Sequence, residues 1–326
     1  MRNLVLPSVL AALAAAALPA IPARANPRPV NGQIAFSRFE EPDTAIFTVN
    51  PDGSHERALA TQPPLPTPNE CPHWSPDGTL IATCGAPDGG ATVIIDPDNG
   101  THRELADPDP TLKTACAWWS PNGERLACEL ADEPADPNRN GIYTIRASDG
   151  GGLTRMTENP GGHDTPGDYS PNGRRFVFAR SDANGDPVGL FVINANRTGL
   201  KQITPTGTLV TDGVGGNWSP HGNRIVFSRH LTADVHSSLW LVHSDGTGLH
   251  QLEVQGVACG GANDDPDGIG CFDPRWSPDG TRIAFGISSP EGRNIYTVSA
   301  DGSDPKQASH GGEDDSPDWG THPAAG

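Results

Sequence analysis

Beyond residue 26 the sequence has no apolar run approaching the ~20 residues of a membrane-spanning helix. It also has no G-x-S-x-G, no H-E-x-x-H and no C-x-x-C. These absences leave a serine nucleophile elbow, a zincin site and a paired-cysteine zinc or redox motif without support. Eleven histidines are scattered; His230 with His236, and His163 beside Asp164, lack metal-ligand spacing. No amphipathic helix is evident. Basic residues are scarce: 22 Lys and Arg stand against 40 Asp and Glu, a net charge of −18. Such a field disfavours nucleic acid and anionic lipid and favours cations or basic partners. It equally serves to keep an exported protein soluble.

The first residues, MRNLVLPSVLAALAAAALPAIPARAN, have an early Arg, a short apolar run and small residues at Ala23 and Ala25. That is the layout of a signal peptide, with cleavage expected after Ala25. Pro7, Pro19 and Pro22 interrupt the run, which argues against a stable membrane anchor, and no Cys follows the cleavage site to carry a lipid. Residues 1–25 are therefore expected to be a signal peptide and 26–326 a single secreted or periplasmic domain.

What is abundant is turn residues: 39 Gly and 33 Pro. They punctuate a repeat. WSPDG occurs at 74–78 and 276–280, WSPNG at 119–123, YSPNG at 169–173 and WSPHG at 218–222. With Trp319 the aromatics are spaced by 45, 50, 49, 58 and 43 residues, the period of stacked units or propeller blades. Each turn precedes a β-type run such as RIAFGI, then a second such as IYTVS, then a Gly-containing turn and a weaker fourth strand. Six of these second runs exist, but only five complete turn-plus-first-strand units. The first unit opens at NGQIAFSR (31–38) without its own first strand, and the chain closes on DDSPDWG (314–320), a first strand without its unit. An open ring would expose unpaired strand edges, so the last strand is expected to complete the first blade. The expected fold is all-β: a six-bladed β-propeller with four antiparallel strands per blade. The blades fall at about 30–60 plus 313–320, 70–105, 115–157, 165–204, 214–253 and 272–309.

CFDPRWSPDGTRIAF, IYTVSADGS and KQIT, recurring in variants through about residues 30–320, resemble the repeat of TolB-like, WD-like β-propellers. The resemblance implies the propeller fold. The repeat starts within a few residues of the expected cleavage site, leaving no room for the N-terminal α/β domain that TolB carries. The same repeat is similar to propellers attached to prolyl-oligopeptidase-type hydrolases. A fold of this kind hosts many activities.

In a four-stranded meander the loops after first and third strands share one face, and here they are short SPDG and DGS turns. Loops after second and fourth strands share the other face and are long and individual, the usual place for binding. Acids gather there: Glu70, Asp164, Asp212, Asp273 and Asp315, with His163 beside them. One reading is an acidic ring that captures a cation or basic group. The other pairs Asp315, Asp164 and Asp212 with Arg38, Arg180 and Arg229. Six cysteines in an exported chain imply disulfides, and local geometry prefers Cys71–Cys84, Cys116–Cys128 and Cys259–Cys271. The two hairpin bridges differ in register, so one hairpin is expected to need a bulge. Asp136, Asn138, Asn140 and Gly141 match the start of a calcium loop, but position 147 is Ala where the EF-hand has Glu. Calcium is thus the one candidate cofactor, against an ordinary Asn/Asp turn. These features lead to a monomeric binding module for a protein or peptide partner in the envelope or extracellular space. The alternative is a carbohydrate-active lyase, glycosidase or other hydrolase with its site at the channel mouth.

Overall fold

The computed structural model describes residues 30–324 except 41–42, 60–69, 85–91, 108, 113, 131–135, 211–214, 232–235 and 262–268. The expected signal peptide and Asp212 lie outside the described residues. Six small antiparallel sheets follow one another along the chain. Blade 2 runs Glu70–Trp74, Ile81–Cys84, Val93–Ile95 and His102–Glu104. Blades 3, 4 and 6 repeat that order from Thr114–Trp119, His163–Tyr169 and Gly270–Trp276. In blade 5 the first strand is in two pieces, Leu209–Val210 and Asn217–Trp218, both paired with Arg224–His230.

The strands read RIAF and RFVF, without the apolar–polar alternation of a one-sided sheet, because each blade packs against a neighbour on both faces. Ile34, Ala35 and Phe36 are all fully buried, as are Phe176, Phe178, Phe227 and Phe285 at matching positions of other blades. The S-P-D-G turns have a shared chemistry. Ser75 Oγ donates to Asp77 Oδ1 (2.6 Å) and accepts from the Leu80 amide (2.9 Å), while Gly78 takes a φ of 72°. Ser277, Asp279 and Arg282 repeat the pattern.

Asp314–Trp319 pairs with Ile34–Glu40 and becomes the first strand of blade 1. Main-chain bonds Gly32 N to Gly320 O (3.0 Å) and Gln33 N to His322 O (2.9 Å) extend the seam. His322 stacks on Trp74 of blade 2 at 5.0 Å. In register Arg38 lies opposite Asp314, and its Nε and Nη2 bond both oxygens of that buried carboxylate. Asp315, the partner expected for Arg38, instead meets Arg293 of blade 6 at 2.9 Å. Adjacent strand residues point to opposite sides of a sheet, so one strand position decides which arginine each acid meets.

The disulfides are Cys71–Cys84, Cys116–Cys128 and Cys259–Cys271. Cys116 and Cys128 are directly opposed, whereas Glu70 sits opposite Cys84 and Cys71 lies in the adjoining bulge. The bulge belongs to both hairpins and not to one alone. It recurs at Pro166/Asp168 and Phe272/Arg275, and on the blade 1 seam.

Candidate functional site

Bulges bend a strand and re-aim the side chains that follow. Here each lies just before the repeat aromatic. Cys71, Asp273 and Ser316, three residues before Trp74, Trp276 and Trp319, take φ of 50°, 47° and 51°. In blade 4 the equivalent bend uses Gly167, where an added Cβ would meet the Gly215 and Gly216 carbonyl oxygens at 2.5 Å. After the bulge, the residue preceding each aromatic lines the central channel: His73, Trp118, Asp168, Asn217, Arg275 and Asp318, one per blade. They surround a cavity of 440 Å³ that opens among the SPDG prolines, on the face opposite the long loops.

Five of these six are polar, and they divide into two groups. Asp318 accepts from the Trp74 amide (2.8 Å), and its Oδ1 lies 3.7 Å from His73 Nδ1 and 3.9 Å from Arg275 Nε. Burial pushes its carboxyl up, but His73, Arg275 and the Trp74 amide outweigh this and hold it below the ordinary carboxylate range. Burial, then the charge of Arg275, pushes the His73 imidazole down and keeps it neutral. Arg275 is 4 % exposed, and its Nε has no hydrogen-bond acceptor.

Asp168 forms the second group. It accepts from Asn217 Nδ2 at 2.9 Å, and Asn217 Oδ1 in turn accepts from the Trp276 amide at 2.8 Å. Burial raises the Asp168 carboxyl to about 7; Arg275 opposes the rise and the Asp318 charge adds to it. The channel therefore holds one satisfied acid and one carboxyl balanced between protonation states near neutral pH. A cation brought beside Asp168 would favour its ionised form.

The acids singled out from sequence lie on the other face and are bound into the framework. Asp164 is buried under a two-pronged contact from Arg180 (2.7 Å from each nitrogen), with Thr157 and Asn159 filling its remaining sites. His163 Nε2 sits 2.8 Å from Glu129. Glu70 and Asp315 are brought together: burial, then the Asp315 charge, raises the Glu70 carboxyl. Asp273 is buried within hydrogen-bond reach of Ser316 Oγ (3.5 Å). In the calcium-like loop, Asp136 caps a short 3-10 turn, Pro137–Arg139, and accepts from the Asn138 amide and side chain. Asn140 turns away to donate to Gly162 O at 2.8 Å. Asp136 and Asn138 thus bond within the turn, and Asn140 bonds outside it. Among the described residues no group of three or more His, Cys, Asp or Glu is arranged to hold a metal ion.

No repeated motif marks the channel residues in the sequence. Their signal is the one position beside the aromatic that does not repeat: His, Trp, Asp, Asn, Arg, Asp.

Among solved structures the chain is similar to TolB from Acinetobacter baumannii, at 19 % identity and a TM-score of 0.65 over 88 % of this chain and 66 % of that one. TolB from Agrobacterium tumefaciens gives 18 % and 0.59, over 86 % and 88 %. Hydrazine synthase from Kuenenia stuttgartiensis gives 14 % and 0.64, over 91 % and 48 %. At such identities the likeness is one of fold. No curated protein sequence gives a significant match. The family profile described as TolB beta propeller domain matches residues 31–252, well over half of the sequence, and this chain belongs to that family.

Proposed function

We propose that this protein is a non-catalytic binding module of an extracytoplasmic compartment. In this reading its channel mouth, on the SPDG face, receives a cationic side chain of a protein or peptide partner. Three disulfides and the N-terminal sequence suit an oxidising compartment. The observation that carries the binding site is Asp168, a carboxyl lifted to about 7 beside an ionised Asp318, held by hydrogen bonds from neutral amides. A lysine or arginine head would supply the missing countercharge, and the net charge of −18 would draw a basic segment toward it. The long-loop face offers less, since Asp164, Asp314 and Asp315 already have arginine partners there.

Selection from a displayed heptapeptide library tests this. Bound peptides are expected to share a Lys or Arg at one position and to bind more tightly as pH rises through 7. Asp168→Asn should weaken them at least tenfold, about 1.4 kcal/mol. Peptides without a shared basic residue, or affinity unchanged in Asp168→Asn, would remove the reading. The convergence of His73, Asp168, Arg275 and Asp318 favours one second reading, an enzyme acting at the same mouth. Turnover of a sugar or ester substrate, abolished by a single change among these four, would establish it instead.

A further inference from the structure

The junction between blades 3 and 4 differs from the two that follow it. At the next two, an arginine covers the following blade's tryptophan: Arg175 Cζ lies 4.7 Å from the Trp218 ring centre, and Arg224 Cζ 4.9 Å from that of Trp276. At this one the aromatic is Tyr169, the only tyrosine among the six. The corresponding Arg125 is drawn aside to Thr144 Oγ1 (2.9 Å), Thr144 O (2.8 Å) and Gly152 O (2.7 Å). The space left is a cleft of 730 Å³, within the size range of small-ligand pockets.

Pro121, Pro171 and Met156 line it together with several polar groups. Tyr169 is 7 % exposed and lines the cleft. The flanking turns carry Asn122 and Asn172 where two other blades carry Asp77 and Asp279. Asn122 holds Glu124 at the rim through a 2.8 Å hydrogen bond. Asn172 uses its oxygen within the turn, which leaves its side-chain NH2 free to donate. One carboxylate and one guanidinium roughly cancel. The cleft therefore presents a phenol, an amide donor and a carboxylate acceptor around apolar walls, without net charge.

We propose that this cleft binds a neutral oligosaccharide. Sugar hydroxyls both donate and accept, so they can satisfy a phenol, an amide and a carboxylate at once. The C–H faces of the rings pack on proline and methionine.

Maltotriose, cellotriose and chitotriose, with trigalacturonate as an anionic control, are the probes for calorimetry and saturation-transfer NMR. At least one neutral trisaccharide is expected to bind. Asn172→Asp, which installs the turn residue of blades 2 and 6, and Tyr169→Phe should each weaken it about three- to tenfold, the worth of one hydrogen bond. Tyr169→Trp, which restores the common aromatic and refills the cleft, should abolish binding without lowering the melting temperature. No binding of any neutral probe, tighter binding of trigalacturonate, or equal affinity in Asn172→Asp and Tyr169→Trp overturns the proposal.

Discussion

A chain lacking residues 313–326 is expected to lose cooperative folding, or to melt at least 15 °C lower, and to aggregate. The deletion removes the first strand of blade 1, and with it two buried groups of large effect. Trp319 is 5 % exposed, and loss of such a side chain costs about 3–5 kcal/mol. Asp314 is fully buried against Arg38, which would keep only Glu56 (2.6 Å), and breaking such a buried pair adds up to about 3–5 kcal/mol. Together these reach the ~5–15 kcal/mol that holds a typical domain folded. The open ring would also present an unpaired edge at Ile34–Glu40. A truncated chain that melts like the full-length protein and elutes as a monomer would show that the ring does not depend on this seam.

Asp168→Asn is expected to stabilise the protein, and only at neutral and alkaline pH. The carboxyl lies at about 7 in the fold and near 3.8 when unfolded. Below about pH 4 it is protonated in both states, and the substitution changes little. As pH rises from 4 to 7 the unfolded chain ionises while the fold keeps its proton, so stability falls. Above 7 the loss is complete and on the order of 4 kcal/mol, less whatever channel water recovers. Denaturant melts at pH 4 and pH 8 would measure it: the variant should gain several kcal/mol at pH 8 and almost none at pH 4. A variant less stable than the parent at pH 8 would mean that the fold favours the ionised carboxylate. The same substitution is expected to weaken ligand binding, a trade of function for stability common at binding sites.

Much of the architecture was legible in the sequence because propeller blades are defined by what recurs. The WSPDG turns located the hairpins, and the incomplete DDSPDWG unit located the seam. Two bridges followed from cysteines flanking single hairpins, and the third from cysteines bracketing one long loop. The site was less legible for two physical reasons. A β-bulge shifts side-chain alternation by one residue, so no count along HDTPGDY shows that Asp168 reaches the channel while Asp164 turns to Arg180. The same sensitivity moved Arg38 from Asp315 to Asp314. Carboxyl pairing is also a three-dimensional property: Asp164 and Asp168 are equally acidic in sequence, and only packing leaves one neutralised and the other lifted to about 7.

The most direct test of the channel as a cation-binding mouth is the proton balance of binding. Calorimetry of a selected basic peptide at pH 7, in buffers of different ionisation enthalpy, reads the protons exchanged. With Asp168 at about 7 in the free protein and fully ionised beside a bound cation, about half a proton should be released per peptide, falling toward zero at pH 9. Binding with no proton release at pH 7, or with the same release in Asp168→Asn, would place the ligand elsewhere on the protein.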